Sequence, residues 1–353
     1  MESANPFDAD SPRYAAVRPA YPTPALDALL ARTEASLGRP ARTGADIGAG
    51  TGKMTLLLAD RGLDVTAVEP SAAMRRHMAH VLKTSGYLLQ SDEIPTLSNT
   101  PGRPSSTGFP EAPSDASGQA SVSAGASPVL DQFSSRTPAS ALSRPYVPAR
   151  THGQASVPAG ASPVLDQSSP WTSAPASSTS HARAHAHAPT IRLLAASAED
   201  TGLPDAATDL VVYAQSWHWV DPDAASTETA RILAPSGTIC AVWNQMDVSI
   251  PWIHRLTRIM RSGDVHRPDR PPAFGSSFTS PVLDVIPWED TKTPEEILDL
   301  GTTRSSYLRQ DRAGRARMQE NLRWYLYEHL RFAPGEPVAI AYSTLVWTAE
   351  RLG

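Results

Sequence analysis

The chain has 353 residues, 41% of them hydrophobic and 19% charged, which suits a globular protein of one large domain or two ordinary ones. Its net charge of −5 gives no electrostatic footprint for nucleic acid or an anionic membrane, and no local basic cluster offsets that balance. No apolar run approaches the roughly 18 residues of a membrane span, and the acidic start MESANPFDAD lacks a signal-peptide pattern, so a cytoplasmic protein is expected.

Residues 24–37, PALDALLARTEASL, carry apolar side chains at helical spacing and predict the first long helix. A turn leads to Gly44-Ala45-Asp46-Ile47, read as a strand, then to the loop Gly48-Ala49-Gly50-Thr51-Gly52 and a new helix from Lys53. Glycines there let the backbone turn tightly and approach a ligand where a Cβ would collide, and the helix N-terminus offers unpaired N–H groups. A second strand, Asp64 to Val68, ends at Glu69, where a carboxylate in a doubly wound fold accepts hydrogen bonds from ribose hydroxyls.

The acid before the glycines separates two cofactor classes. Dinucleotide folds use G-x-G-x-x-G to set a helix against a pyrophosphate, whereas this loop reads D-x-G-x-G-x-G. A carboxylate suits an ammonium better than a pyrophosphate. S-adenosylmethionine carries an α-ammonium, a sulfonium and no phosphate, and the loop chemistry points to it.

Between 84 and 190 the chain is dominated by Ser, Pro, Ala, Gly and Thr without hydrophobic periodicity, and much of the excess of 33 prolines falls here. Such a segment cannot bury enough apolar surface to offset its ordering entropy, so a disordered insertion is expected. It holds a near-perfect repeat, GQASVSAGASPVLDQ (118–132) and GQASVPAGASPVLDQ (153–167), and ends in His181, His185 and His187 without Cys or carboxylate neighbours. No metal site is expected there. Loop-closure entropy grows slowly with length, so residues 1–83 and 191–353 can form one interrupted domain, and neither flank looks complete alone.

Beyond the insertion, Asp209 to Ala214 is a buried-strand pattern followed by Gln215-Ser216-Trp217-His218-Trp219. Ligands bind beyond the carboxyl ends of such strands, which makes Trp217 and Trp219 candidate pocket walls and His218 a candidate general base, with a packed, orienting histidine as the competing reading. Thr238 to Trp243 reads as the next strand, and its Cys240 as a core residue. Val282 to Trp288 and Ala339 to Trp347 read as the last two strands. A helical cap near 293–331 lies between them, in which Arg304 and Tyr307 are candidate acceptor contacts.

The motifs ADIGAGTG (45–52), VTAVEPSAAM (65–74), SAEDTGLPDAATDLVVYAQSWHWVD (197–221) and ARILAPSGTICAVWN (230–244) together resemble class I S-adenosylmethionine-dependent methyltransferases of the broad type-11-like group. The resemblance covers both flanks and skips the insertion. It implies a doubly wound, Rossmann-like α/β fold with a seven-stranded, mostly parallel sheet containing one antiparallel strand. It further implies that Asp46 and the backbone of Gly48, Gly50 and Gly52 hold the methionine end and Glu69 the ribose. Glu199 or Asp200 would read the adenine, and Gln215 borders the same cofactor site. The N-terminal P-R-Y-A-A-V-R-P-A-Y-P run (12–22) resembles a lid, in which Tyr14 and Arg18 would hold the methionine moiety, Arg18 through its carboxylate. Where relatives have Pro-Gly-Gly, this chain has Pro235-Ser236-Gly237, a departure of small expected effect. The expected activity is methyl transfer to O, N or C of a small-molecule acceptor. A nicotinamide-dependent oxidoreductase and a non-catalytic adenosyl-binding scaffold remain as alternatives.

Overall fold

The computed structural model describes residues 11–87, 89–90, 188–262 and 266–353. These belong to one folded unit drawn from Met1–Pro95 and Arg183–Gly353. The repeat, the histidine tract and most of the expected insertion lie outside the described residues. The edges of that segment do not: α4 (Ala72–Thr84) ends inside it, a short strand β3 (Leu89–Gln90) follows, and Thr190 donates its backbone N–H to Asp64 at 2.8 Å.

The sheet has eight strands in the order β3-β4-β2-β1-β5-β6-β8-β7. They are β1 (Thr43–Ile47), β2 (Asp64–Val68), β3, β4 (Ile191–Leu194), β5 (Thr208–Ala214), β6 (Leu233–Met246), β7 (Val282–Lys292) and β8 (Val338–Glu350). Among the described strands, β8 runs against the direction of the rest, antiparallel to β6 and to β7. Seven of the strands match the expected mixed sheet, and the two-residue β3 adds an edge to it. Strand alternation explains how both faces are buried. Val211, Tyr213, Ile239, Ala241 and Trp243 point into one apolar layer, and Leu210, Val212, Cys240 and Val242 into the other. Burial pushes the Cys240 thiol pKa up, as expected for a core residue.

The second layer is covered by α2 (Thr23–Leu37), α3 (Lys53–Asp60) and α4, which bury Leu26 and Leu29, Met54 and Leu58, and Met78 and Leu82. The first is covered in part by α5 (Pro222–Ile232), whose N-cap Asp221 accepts from the backbone of Asp223 and Ala224 at 3.0 Å each. A third core joins α6 (Pro251–Ile259) to the cap helices α7 (Pro294–Thr302), α8 (Ser305–Leu308) and α9 (Arg312–Arg323), the last running into a π-helical turn, Trp324–His329. Tyr325 is buried in it, Tyr327 donates to Glu295, and Trp324 is exposed. Among the described residues no helix is long and apolar enough to cross a membrane.

The sequence reading starts the strand β6 at Thr238, just after Pro235-Ser236-Gly237. In the structure β6 begins at Leu233, next to Thr208 of β5, and the register shifts before Thr238 pairs with Leu210. Ser236 sits there at φ 59°, a left-handed conformation that favours glycine.

Candidate cofactor and acceptor site

The Gly-rich loop closes on β2: the N–H groups of Gly48 and Ala49 both donate to the Val68 carbonyl, at 2.8 and 3.1 Å. A Cβ on Gly48, at φ 69°, would stand 2.6 Å from the Cβ of Ser216, so the ends of β1 and β5 fit together only without a side chain there. Gly50 differs, because the nearest atom to a Cβ built there is the Gly48 carbonyl oxygen at 3.9 Å, which leaves an open cradle over the backbone.

Glu69 is buried, and both its oxygens are engaged: Oε2 accepts from Gly50 N and Oε1 from Ser71 N, each at 2.8 Å. It therefore clamps the loop to the start of α4. Asp46 is 1% exposed at the end of β1. Its Oδ2 accepts from the Thr55 hydroxyl at 2.6 Å, while Oδ1 is buried with no hydrogen-bond partner among the described residues. Burial pushes its pKa up to about 7, with Glu69 acting the same way and the Thr55 hydrogen bonds opposing. Tyr21, which the sequence reading did not single out, is part of this environment: burial and the Asp46 charge both push its phenol up.

The N-terminal segment folds as α1 (Ser11–Val17) and is latched at three points. Arg13 pairs with Asp299, Arg18 Nη2 donates to the Thr303 carbonyl at 2.8 Å, and Asn244 Nδ2 donates to the Ala20 carbonyl at 3.0 Å. The Arg18 guanidinium lies 5.0 Å from the centre of the Tyr14 ring. Its Nε is buried with no hydrogen-bond partner among the described residues.

Trp217–Trp219 form one 3₁₀ turn, and its three side chains part company. Trp217 is buried edge-on between Tyr213 at 4.8 Å and Phe274 at 5.1 Å, so it packs in the core. His218 is exposed, and its Nδ1 accepts from the indole N–H of Trp243 at 3.3 Å. Trp219 is 51% exposed, with the Arg309 guanidinium 5.5 Å from its ring.

A cleft of about 680 Å³, counting its mouth, brings together Tyr14, Arg18, Gln215, His218, Trp219 and Arg304. Gln215, at φ 61°, donates from Nε2 to the Asn244 carbonyl at 3.2 Å. Trp217 and Tyr307 do not line this cleft; Tyr307 packs on the cap core with the Arg315 guanidinium 5.5 Å from its ring. Gln245, Met246, Thr257 and Ser262 line it without having been singled out from sequence. The signal for Thr257 was present: Pro251 followed by Ile253, Leu256 and Met260 is a helix start with a buried stripe, and that helix carries Thr257 to the cleft.

On the expected adenine side, Asp200 lines a separate hollow after β4, with Ser197 and Thr201. Glu199 accepts from the Asp221 backbone at 3.1 Å. Buried Glu228 fixes this loop by accepting from the N–H and hydroxyl of Thr201, at 2.9 and 2.5 Å. Among the described residues no group of His, Cys, Asp and Glu could hold a metal ion.

A sequence profile described as a methyltransferase domain matches residues 172–241. An uncharacterized methyltransferase of Mycobacterium bovis is 34% identical over 157 residues, which make up 44% of this chain and 63% of that protein. The match thus covers less than two thirds of that relative's length. An uncharacterized methyltransferase-like protein of Schizosaccharomyces pombe is 38% identical over 72 residues, 20% of this chain and 28% of that one. A candidate type II methyltransferase from Anaeromyxobacter dehalogenans is 17% identical, covering 94% of this chain and 97% of its own, with a TM-score of 0.49. Over the parts they cover, these matches make the chain similar to methyltransferases.

Proposed function

We propose that the chain is an S-adenosylmethionine-dependent methyltransferase that acts on a small-molecule acceptor. The observation that carries this reading is the Asp46 carboxylate: it is buried at the head of the Gly-rich loop with one oxygen lacking a donor. A buried acceptor atom without a partner is costly, and an ammonium would satisfy it, whereas a pyrophosphate at the same loop would be repelled.

The remaining residues fit the same group. The open backbone at Gly50 gives room for a close approach. The Glu69 carboxylate would accept from ribose hydroxyls, Asp200 or Glu199 would face the adenine, and Tyr14, Arg18 and Gln215 would close over the methionine end. When bound, S-adenosylmethionine supplies a methyl group activated by its sulfonium. The chain's part is to orient the acceptor and exclude water, which matters more for an in-line displacement than special catalytic groups do.

We read the general-base candidate, His218, as a positioning donor, because its Nδ1 accepts the Trp243 indole N–H and a neutral imidazole so engaged would carry its proton on Nε2. The small-molecule class is supported by the net charge of −5 and by a cleft roofed by the cap and the N-terminal segment.

The test is transfer of a labelled methyl group from S-adenosylmethionine to small molecules of a cell extract. A labelled small-molecule product is expected, and His218→Gln is expected to keep turnover within about threefold, because the amide can still donate. Loss of about a hundredfold or more in His218→Gln with intact cofactor binding would make His218 the base. Label appearing only in protein or nucleic acid would refute the acceptor class.

A further inference from the structure

One wall of the cleft is built to accept hydrogen bonds, and what it can recognise follows from where its own donors are committed; the inference rests on the methyltransferase reading above. Gln245, near the end of β6, lines the cleft. Its Nε2 donates to the His266 carbonyl at 2.7 Å. A carbonyl only accepts, so this bond fixes which way the amide is turned and leaves Oε1 as the atom on offer. Gln245 Oε1 is buried with no hydrogen-bond partner among the described residues.

Two hydroxyls continue this wall. Thr257, 7% exposed on α6, donates to the His254 carbonyl at 2.8 Å. Ser262, just beyond that helix, donates to the Thr257 carbonyl at 3.2 Å. Both line the cleft, and with their hydrogens committed to carbonyls they can only accept from a bound molecule. A buried carbonyl oxygen without a donor is costly, so a molecule that brings a donor to Gln245 gains by it.

The charges nearby decide which donor. The guanidiniums of Arg18 and Arg304 line the same cleft, and no Asp or Glu is among its lining residues. An ammonium would reach Gln245 only beside two like charges. A carboxylate would suit the guanidiniums but brings no hydrogen for Gln245. A hydroxyl or an amide carries no charge, donates to one wall and can accept from the other. We propose that Gln245 selects the methyl acceptor by receiving, on Oε1, the O–H or amide N–H of an uncharged group of that molecule, with Thr257 as a second acceptor. Gln245 thereby sets specificity and takes no part in the transfer itself.

The experiment uses the full chain saturated with S-adenosylhomocysteine, whose own affinity is measured first by calorimetry. Small alcohols, phenols and primary amides are then titrated beside their methyl ethers, deoxy counterparts and N,N-dimethylamides, and beside the matching primary amines. At least one hydroxyl or amide probe is expected to bind about tenfold or more tightly than both its donor-free counterpart and its amine. Gln245→Met, of similar length but without the acceptor oxygen, is expected to bring the ratio of probe to donor-free counterpart to within about twofold of unity. In that variant the affinities of the counterpart and of S-adenosylhomocysteine are expected to stay within about twofold, whereas a merely structural Gln245 would weaken every probe alike. Thr257→Val, which leaves the anchor of Gln245 on His266 in place, is expected to lower the same ratio about threefold and keeps the test valid if Gln245→Met fails to fold. Donor-free counterparts or amines binding as well as every hydroxyl and amide probe, no probe binding, or a ratio unchanged in Gln245→Met would each overturn the proposal. Failure to bind S-adenosylhomocysteine at all would overturn the underlying methyltransferase reading, before any probe is added.

Discussion

Asp46 holds its proton to an unusually high pH because burial removes the water that would solvate its charge. An unfolded carboxylate titrates near about 4, whereas the folded group titrates at about 7. The free folded state therefore binds a proton the unfolded chain has lost. The resulting stability is complete below about pH 4 and fades as pH rises through about 7, on the order of 1 kcal/mol per pH unit across that window. Asp46→Asn is expected to flatten this dependence, seen as a smaller fall in melting temperature between pH 5.5 and 7.5 than in the parent chain. Binding of a cationic group favours the ionised form, so cofactor affinity is expected to rise through pH 7 in the parent and not in Asp46→Asn. Asp46 and Glu69 are legible in the sequence because strand ends and a Gly-rich turn fix where they sit. The division of labour in the Trp-His-Trp run is not. In a 3₁₀ turn successive side chains diverge by about 120°, so one tryptophan enters the core and the other faces solvent, a distinction that spacing alone does not encode.

The strands and the cap are placed by their hydrophobic patterns, and the last two strands fall where alternation puts them. What pattern reading misses at this scale are the elements whose partners are distant in sequence. β3 is too short to show a period, and it exists because Leu89 and Gln90 pair with Ile191 and Arg192 about a hundred residues on. Tyr307 follows Arg304 closely, yet α8 turns it onto the cap core and leaves Arg304 and Ser305 at the cleft. The N-terminal segment also depends on distant anchors, chief among them Asn244 at the end of β6, which donates to the Ala20 carbonyl and accepts from Thr344 at 2.6 Å. If that segment closes the cofactor site, Asn244→Ala should loosen it. One lost hydrogen bond, about 1 kcal/mol, corresponds to about fivefold weaker cofactor binding, with faster proteolysis confined to residues 11–22. Unchanged affinity and protection would mean that the segment is held by its cap contacts alone.

At the scale of the molecule, the two flanks form one sheet: β1 and β2 from the first half stand between β4 and β5 from the second. A sheet that draws on both flanks leads us to expect that the intervening segment is dispensable for folding. Replacing residues 91–187 with a flexible linker of about a dozen residues, long enough for a crossover between the parallel strands β3 and β4, is expected to leave the melting temperature and cofactor affinity unchanged. Loss of cofactor binding in that variant would contradict the single interrupted domain. Binding of S-adenosylmethionine is the claim on which the site reading depends. Calorimetric titration of the full chain with S-adenosylmethionine and, separately, with NAD tests it most directly. One S-adenosylmethionine per chain, weakened about tenfold or more by Glu69→Gln, together with no heat from NAD, is the expected result; NAD binding in place of S-adenosylmethionine would contradict it.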